Sequence, residues 1–161
     1  MMRVCVVLIA LLAFAGCGDD EASDTAPRSA TEAAATTPNP TARVGTRVVL
    51  ARSPFGQMLF NSSKQAIYIF QRDRRNQSNC YGECARAWPP VLTTGRPRAG
   101  RGVDSSLLAT TKRRGGRLQV TYGGKPLYYY VNEGPGQVKC HNVNLNGGFW
   151  WAVGADGKRL Q

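Results

Sequence analysis

Residues 66–73 read AIYIFQRD and residues 126–133 read PLYYYVNE, so one pattern of apolar, aromatic and acidic residues occurs twice, sixty residues apart. The same register extends upstream, where residues 58–60 match residues 118–120. The matched single positions are Tyr68 with Tyr128, Phe70 with Tyr130, Asp73 with Glu133, and Cys80 with Cys140. Agreement across apolar, aromatic, acidic and cysteine positions indicates a duplicated unit.

Each copy of the pattern places two aromatic residues on the same face of a strand. Alternation along an extended chain brings Tyr68 and Phe70 together, and Tyr128 and Tyr130 repeat the arrangement. Such a pair could line a ligand platform or fill a core. The core is the favoured interpretation, because a small β domain depends on the large areas that aromatic side chains bury.

The remaining local signals also favour strands. Residues 118–131 contain two β-rich runs around the glycines at 123–124, which is typical of a tight hairpin. Helix is limited to one turn at residues 83–88, which the following prolines end. We therefore predict an all-β fold, with one small domain made of two pseudo-symmetric repeats of about sixty residues, 44–103 and 104–161. Neither repeat has enough strands to bury both faces alone; the alternative is two independent modules joined by the loop rich in arginine and glycine.

The N-terminal residues predict export. Arg3 precedes a twelve-residue apolar run, residues 4–15, which is shorter than the roughly twenty residues that span a bilayer and is typical of a secretory signal. The sequence AGC that ends at Cys17 is similar to a bacterial lipobox. We predict a lipoprotein signal peptide at residues 1–16 and lipidation of Cys17; the alternative is an ordinary cleaved signal.

Residues 17–43 follow as a linker between the lipid and the folded part. They contain no aromatic and no large aliphatic residue, so they cannot bury enough apolar surface to offset the entropy of ordering, and we predict that they are disordered. Residues 44–161 remain as the folded part. The protein is therefore expected to be exported and anchored to the outer face of a bacterial membrane, in the cell envelope.

Charge changes sign between the linker and the folded part. Residues 17–43 contain five acidic and two basic residues, whereas residues 44–161 contain eighteen basic and five acidic residues. Such a surplus favours anionic partners. Nucleic acid is not expected as a partner of an exported protein, so we expect anionic lipids or wall polymers, with Lys112, Arg113 and Arg114 contributing. The alternative is that the arginine-rich loops serve only solubility.

Three cysteines remain in the folded part. In an exported domain the default is a disulfide, and Gly82 lets the loop between Cys80 and Cys84 curl tightly enough to join them. A bond from Cys80 to Cys140 would instead join the two repeats and is the competing prediction. A third option is a metal site, since Cys140 is followed by His141, the one histidine of the chain.

Catalytic signatures are absent from the sequence. It lacks a Gly-x-Ser-x-Gly motif and a phosphate-binding glycine loop, and His141 has no recognisable nucleophile and acid partners. Asp73 and Glu133 could act as an acid–base pair, but as repeat-equivalent residues they are expected to accept hydrogen bonds in turns or to pair with the arginines of residues 72–75. We predict that the protein is not an enzyme and that it uses no cofactor.

Two motifs resemble a known family. Residues 68–73 fit the pattern Tyr-x-[Phe/Trp/Tyr]-x-x-Asp, and residues 80–90 read CYGECARAWPP, which includes Trp88. Together they resemble the secreted-repeat family of bacterial lipoproteins. The second copy departs from the pattern at Glu133, where the motif has Asp. The resemblance covers nearly all of residues 44–161 and implies an envelope lipoprotein whose molecular function is unestablished.

Two functions are consistent with these features. The favoured one is a non-catalytic binding or structural module, anchored through Cys17 and held against anionic envelope components by its basic surface. The alternative is an extracytoplasmic redox or metal-handling protein. It would use Cys80, Cys84, Cys140 and His141.

Overall fold

The structure, a computed structural model, describes residues 44–161. The predicted signal peptide at residues 1–16, Cys17 and the linker to residue 43 lie outside the described residues. Among the residues that are described, no helix is long and apolar enough to cross a membrane.

Short strands dominate residues 44–161, with one five-residue helix among them. In chain order the elements are β1 (Arg47–Ser53), β2 (Gly56–Asn61), β3 (Tyr68–Phe70), α1 (Glu83–Ala87), β4 (Leu92–Thr93), β5 (Arg98–Ala99), β6 (Leu108–Lys112), β7 (Leu118–Tyr122), β8 (Lys125–Pro126), β9 (Val143–Leu145) and β10 (Gly148–Ala152). The predicted all-β class is confirmed, and α1 falls within the segment where one helical turn was expected.

These strands form three small sheets. In the first, β1 lies between β2, which is antiparallel to it, and β5, which is parallel. In the second, β10 lies between β3 and β9, both antiparallel to it. In the third, β7 lies between β4 and β6, and β8 also pairs with β7.

Two of the sheets combine strands from both repeats. β3, from the first repeat, pairs with β10 from the second, so that Phe70 lies opposite Trp150. β4, also from the first repeat, pairs with β7 from the second, so that Leu92 lies opposite Gln119. The predicted division between residues 103 and 104 lies in the loop between β5 and β6. The fold is therefore one in which two repeats complete each other's sheets.

The two repeats meet at their motif tyrosines. The backbone N–H of Tyr68 donates to the carbonyl of Tyr128, and the N–H of Tyr128 donates to the carbonyl of Tyr68, both at 2.9 Å. Equivalent residues thus exchange hydrogen bonds, as they would across a local two-fold axis. The sixty-residue register of the aromatic motif is confirmed at this point.

The predicted register upstream of the motif is wrong by one residue. Ile67 donates from its backbone N–H to Leu59, and the equivalent Leu127 donates to Val120, both at 3.0 Å. Leu59 therefore corresponds to Val120, sixty-one residues later, and not to Gln119. The reason is the hairpin turn: the second repeat turns within the two residues Gly123 and Gly124, both with positive φ, whereas the first uses a longer loop.

Four fully buried aromatic side chains form the centre of the core. Trp88 and Trp150 stack at a centroid distance of 3.8 Å with their rings nearly parallel, at 2°. Tyr68 packs on Trp88 in a T-shaped contact at 5.5 Å, and Tyr128 packs on Trp150 in the same way at 5.2 Å. One tryptophan and one tyrosine from each repeat thus form a symmetric cluster, which confirms the core interpretation of the motif tyrosines.

Strand alternation divides the buried residues into two clusters. Tyr68 and Phe70 belong to the first, and Ile67 and Ile69 belong to the second. Tyr130 is only half-buried and packs at the margin of the first cluster. The alternating pattern of the motif therefore serves two packed layers, one on each side of the strand.

We expect a peptide of residues 44–103 to show no cooperative unfolding transition, because β3 and β4 would lose their partners in the second repeat. Urea denaturation followed by circular dichroism measures this, with residues 44–161 as the control. A cooperative transition in the shorter peptide would show that the repeats are independent modules.

Candidate functional site

Asp73, the carboxylate of the first motif, is bound by the other repeat. The Tyr128 hydroxyl donates to Asp73 Oδ2 at 2.7 Å, and the backbone N–H of Asn79 donates to Oδ1 at 2.7 Å. Burial raises the pKa of Asp73 to about 6, although both hydrogen bonds oppose the shift. Burial and the neighbouring Asp73 charge raise the pKa of Tyr128, so its hydroxyl stays protonated and acts as a donor.

Glu133, the carboxylate of the second motif, makes the equivalent contacts. The Tyr68 hydroxyl lies 2.8 and 3.0 Å from its two oxygens, and the backbone N–H of Lys139 donates to Oε1. In both repeats the backbone donor is six residues after the carboxylate. Each motif tyrosine therefore donates to the carboxylate of the other repeat, and the glutamate fills this role as the aspartate does.

These contacts show which of the predicted roles Asp73 and Glu133 have in the fold. The expected turn hydrogen bonds are confirmed for both Asp73 and Glu133. The expected pairing with the arginines at 72–75 is not observed; the ion pairs among residues 44–161 are Arg86 with Glu83 and Lys158 with Asp156. Both motif carboxylates are thus committed to holding the repeats together.

We expect Tyr68→Phe and Tyr128→Phe each to lower the free energy of unfolding by about 1–3 kcal/mol, because the buried Glu133 or the partly buried Asp73 loses its hydroxyl donor. Urea denaturation at pH 7 measures the change. Tyr129→Phe is the matched control, since the Tyr129 hydroxyl contacts the neutral Asn61 amide at 3.3 Å. Equal losses in all three variants would contradict the exchange as a source of stability.

Arg113 is part of the interior. Its side chain is only 6% exposed. Nη1 donates to Ser78 Oγ at 2.8 Å and to Gln119 Oε1 at 2.6 Å, and Nη2 donates to the carbonyl of Cys80 at 2.7 Å. The guanidinium also lies 4.4 Å from the centre of the Tyr81 ring. A buried cation that makes three hydrogen bonds ties the turn after β6 to the loop of the disulfide.

The prediction that Arg113 contributes to a basic surface is therefore wrong. Lys112 and Arg114, its neighbours, are exposed as expected. The physical reason is the turn that follows β6, in which the N–H of Gly116 bonds the carbonyl of Arg113 at 3.0 Å. At this point the strand alternation ends, and sequence periodicity no longer predicts which side chain points inward.

We expect Arg113→Ala to lower the free energy of unfolding by about 2–4 kcal/mol, since three buried acceptors lose their donor. Lys112→Ala removes the same charge from an exposed position and should change stability by no more than about 0.5 kcal/mol. Denaturation of the two variants side by side tests the difference. Similar small losses would show that Arg113 is not structural.

The disulfide joins Cys80 to Cys84, with their Cα atoms 5.2 Å apart. This confirms the favoured pairing over a bond between Cys80 and Cys140. The loop leads directly to the core, because the backbone N–H of Trp88 donates to the carbonyl of Cys84 at 2.8 Å. The bond therefore fixes the turn that delivers Trp88 to the stacked aromatic cluster.

Cys140 is buried and forms no disulfide in the described part of the chain. Burial and the nearby Glu133 carboxylate raise the pKa of its thiol to about 11, so the reactive thiolate is disfavoured. His141 accepts a hydrogen bond at Nδ1 from the backbone N–H of Ala152 at 3.3 Å, and burial lowers its pKa. Residues 44–161 contain no group of three or more His, Cys, Asp or Glu residues placed to hold a metal ion. These observations give the redox or metal alternative no support.

An open cleft of about 650 Å³ carries a concentration of positive charge. Its basic lining residues are Arg74, Arg75, Lys125, Lys158 and Arg159. Its acidic lining residues are Asp73 and Asp156. Asp73 is already engaged by the other repeat, and Asp156 pairs with Lys158 at 3.6 Å. We refer to this site as the basic cleft.

The loop after β3 brings two of these cations to the basic cleft. Arg74 and Gln77 exchange backbone hydrogen bonds at 3.1 Å, and the N–H of Asn76 donates to the carbonyl of Gly124 at 2.7 Å. Gly124 has a φ of 78°, and a Cβ there would come within 2.9 Å of Cγ of Arg75. Glycine at this position therefore lets the Arg75 side chain lie against the β7–β8 turn.

The basic cleft was not predicted from the sequence. Its cations come from three separate segments, 72–75, the β7–β8 turn and residues 156–161, which meet only in the folded chain. A weak signal was available, since the cations at 125 and 158 each follow a turn glycine. Nothing in the sequence relates those two turns to each other.

Comparison with known proteins agrees with the duplication. The family model of a secreted repeat of unknown function matches residues 49–92 and again residues 109–154. The two matches begin sixty residues apart and together cover more than half of the chain. No curated protein and no solved structure is significantly similar to the chain.

Proposed function

Since the chain belongs to the family of secreted repeats of unknown function, we propose that it is a non-catalytic module of the bacterial cell envelope that binds anionic envelope components in its basic cleft. In this proposal Cys17 carries the lipid that anchors the module to the outer face of the membrane. The observation that carries the proposal is the convergence of five cations around one cleft.

The disposition of the acidic residues supports an anionic partner. Residues 44–161 contain five acidic residues. Asp73 and Glu133 are held by the tyrosines, and Glu83 and Asp156 each pair with a neighbouring cation. Most of the eighteen basic residues therefore have no carboxylate within 4.0 Å among the described residues. Such a surplus attracts anions over long range and raises their local concentration.

The same bonds support a non-catalytic role. An acid–base pair needs carboxylates that are free to exchange protons with a substrate. Asp73 and Glu133 each accept hydrogen bonds from a tyrosine hydroxyl and from a backbone N–H. Both carboxylates therefore serve as hydrogen-bond acceptors within the fold.

The test is binding of the 44–161 domain to phosphatidylglycerol vesicles and to polyglutamate, measured at low and high salt. Affinity should fall steeply with salt because exposed charges are screened. Arg74→Gln combined with Lys158→Gln should weaken binding by about tenfold, given up to about 1 kcal/mol for each exposed charge pair.

Lys112→Gln combined with Arg114→Gln is the control, because it removes the same charge outside the basic cleft. It should weaken binding by no more than about twofold, through long-range attraction alone. Salt-independent binding would refute the electrostatic basis of the proposal. Equal losses in the two double variants would refute the assignment to the cleft.

A further inference from the structure

A strip of aromatic side chains leads into the basic cleft. Trp151 lines the cleft, with Phe149 at a ring-centroid distance of 5.6 Å and His141 at 5.9 Å. Phe55 continues the strip at 4.5 Å from His141 and is 41% exposed. The other three rings are partly exposed. Scattered surface aromatics are ordinary, but these four are contiguous and end among cations.

Strand β10 separates this aromatic strip from the stacked aromatic cluster. Trp150 points into that cluster and is fully buried, whereas Phe149 and Trp151 on either side of it point to the opposite face. On that face Trp151 packs against the second core cluster, and both rings stay partly exposed. The strip therefore leaves aromatic surface accessible next to the basic cleft.

Where the aromatic strip enters the basic cleft, an arginine side chain stacks on an aromatic ring. The guanidinium of Arg159 lies 4.4 Å from the centre of the Trp151 ring, and both residues line the cleft. Stacking on the ring restricts the motion of the Arg159 guanidinium. Its N–H donors remain available at the edge of the guanidinium plane. The pair places a positive charge at the end of the aromatic strip.

We propose that the basic cleft and the aromatic strip bind a segment of an acidic glycan, a polymer of sugar rings that carry carboxylate or phosphate groups. A sugar ring has apolar C–H faces that pack on aromatic rings, and its acid groups would pair with the cleft cations. This inference rests on the proposed function and narrows its ligand class. The glycine turn at Gly123 and Gly124 forms part of the lining, between Arg75 and Lys125.

A membrane surface fits the site less well. The large apolar side chains that are well exposed within residues 44–161 are Val44, Phe55, Val131 and Leu145. One of them, Phe55, belongs to the aromatic strip, and none lines the basic cleft. A flat bilayer would need protruding apolar groups around the cations, whereas a flexible polymer can enter a concave cleft.

A binding test of the 44–161 domain with three soluble polymers separates the contribution of negative charge from that of the sugar ring. Polygalacturonate has sugar rings and carboxylates, polyglutamate has carboxylates without sugar rings, and dextran has sugar rings without charge. We expect polygalacturonate to bind about two- to tenfold more tightly than polyglutamate at equal chain length and salt, which is the contribution of an aromatic contact. Dextran should bind more weakly than both.

Variants then assign the preference to the aromatic strip. Trp151→Leu keeps apolar bulk on β10 and should bring the two acidic polymers to nearly equal affinity. Tyr81→Leu is the control, since Tyr81 also stacks with arginine side chains, at 4.2 Å from Arg114 and 4.4 Å from Arg113, but does not line the basic cleft. Phe55→Ala, at the exposed end of the strip, should reduce the preference even if Trp151→Leu impairs folding.

The outcomes distinguish this inference from the proposed function. If polyglutamate binds as tightly as polygalacturonate, or if neither Trp151→Leu nor Phe55→Ala changes the preference, the glycan assignment is wrong and anion binding stands. If phosphatidylglycerol vesicles outcompete polygalacturonate, the ligand is a membrane surface and the glycan assignment is again wrong. If no anionic probe binds, the proposed function itself fails.

Discussion

The exchange of hydrogen bonds between the two motif tyrosines and the two motif carboxylates is the constraint on which the domain depends. A carboxylate taken out of water is costly unless it is hydrogen-bonded, and here each acid finds its hydroxyl donor in the other repeat. Each repeat supplies its own acid with a backbone N–H, but the hydroxyl donor comes from the other repeat. The same residues also exchange backbone hydrogen bonds, between Tyr68 and Tyr128. Folding of one half is therefore tied to folding of the other.

The two copies have diverged around this shared centre. On one side, Arg113 donates to Ser78, whose hydroxyl lies 2.8 Å from that of Tyr128, which in turn binds Asp73. The residue sixty positions after Ser78 is Val138, which has no hydroxyl to continue such a chain. The carboxylate of the first copy is therefore linked by a polar chain to a buried cation of the second copy. The loop that this chain holds in place also carries Arg74 and Arg75 of the basic cleft.

Features that depend on residues close together in the sequence could be predicted, whereas features that depend on contacts between distant residues could not. Strand alternation and the aromatic register are local, so the burial of Tyr68 was foreseen, as was the all-β class. The disulfide between Cys80 and Cys84 spans five residues, and chain geometry favoured it. The burial of Arg113 could not be foreseen, because its acceptors lie six to thirty-five residues away. The basic cleft depends on three loops whose approach is decided by the pairing of the repeats.

Solubility alone is a weaker explanation of the basic surface than binding. Charges that serve only solubility gain from being spread out, since like charges that lie close together repel each other. In this domain the Arg74–Arg75 pair, Lys125 and the Lys158–Arg159 pair come from three separate segments and still line one cleft. Of the two acids in the lining, Asp73 is held by Tyr128 and Asp156 pairs with Lys158, so the other four cations have no carboxylate within 4.0 Å among the described residues. A ligand with several negative charges would relieve this repulsion, and the five cations would then contribute to its affinity together.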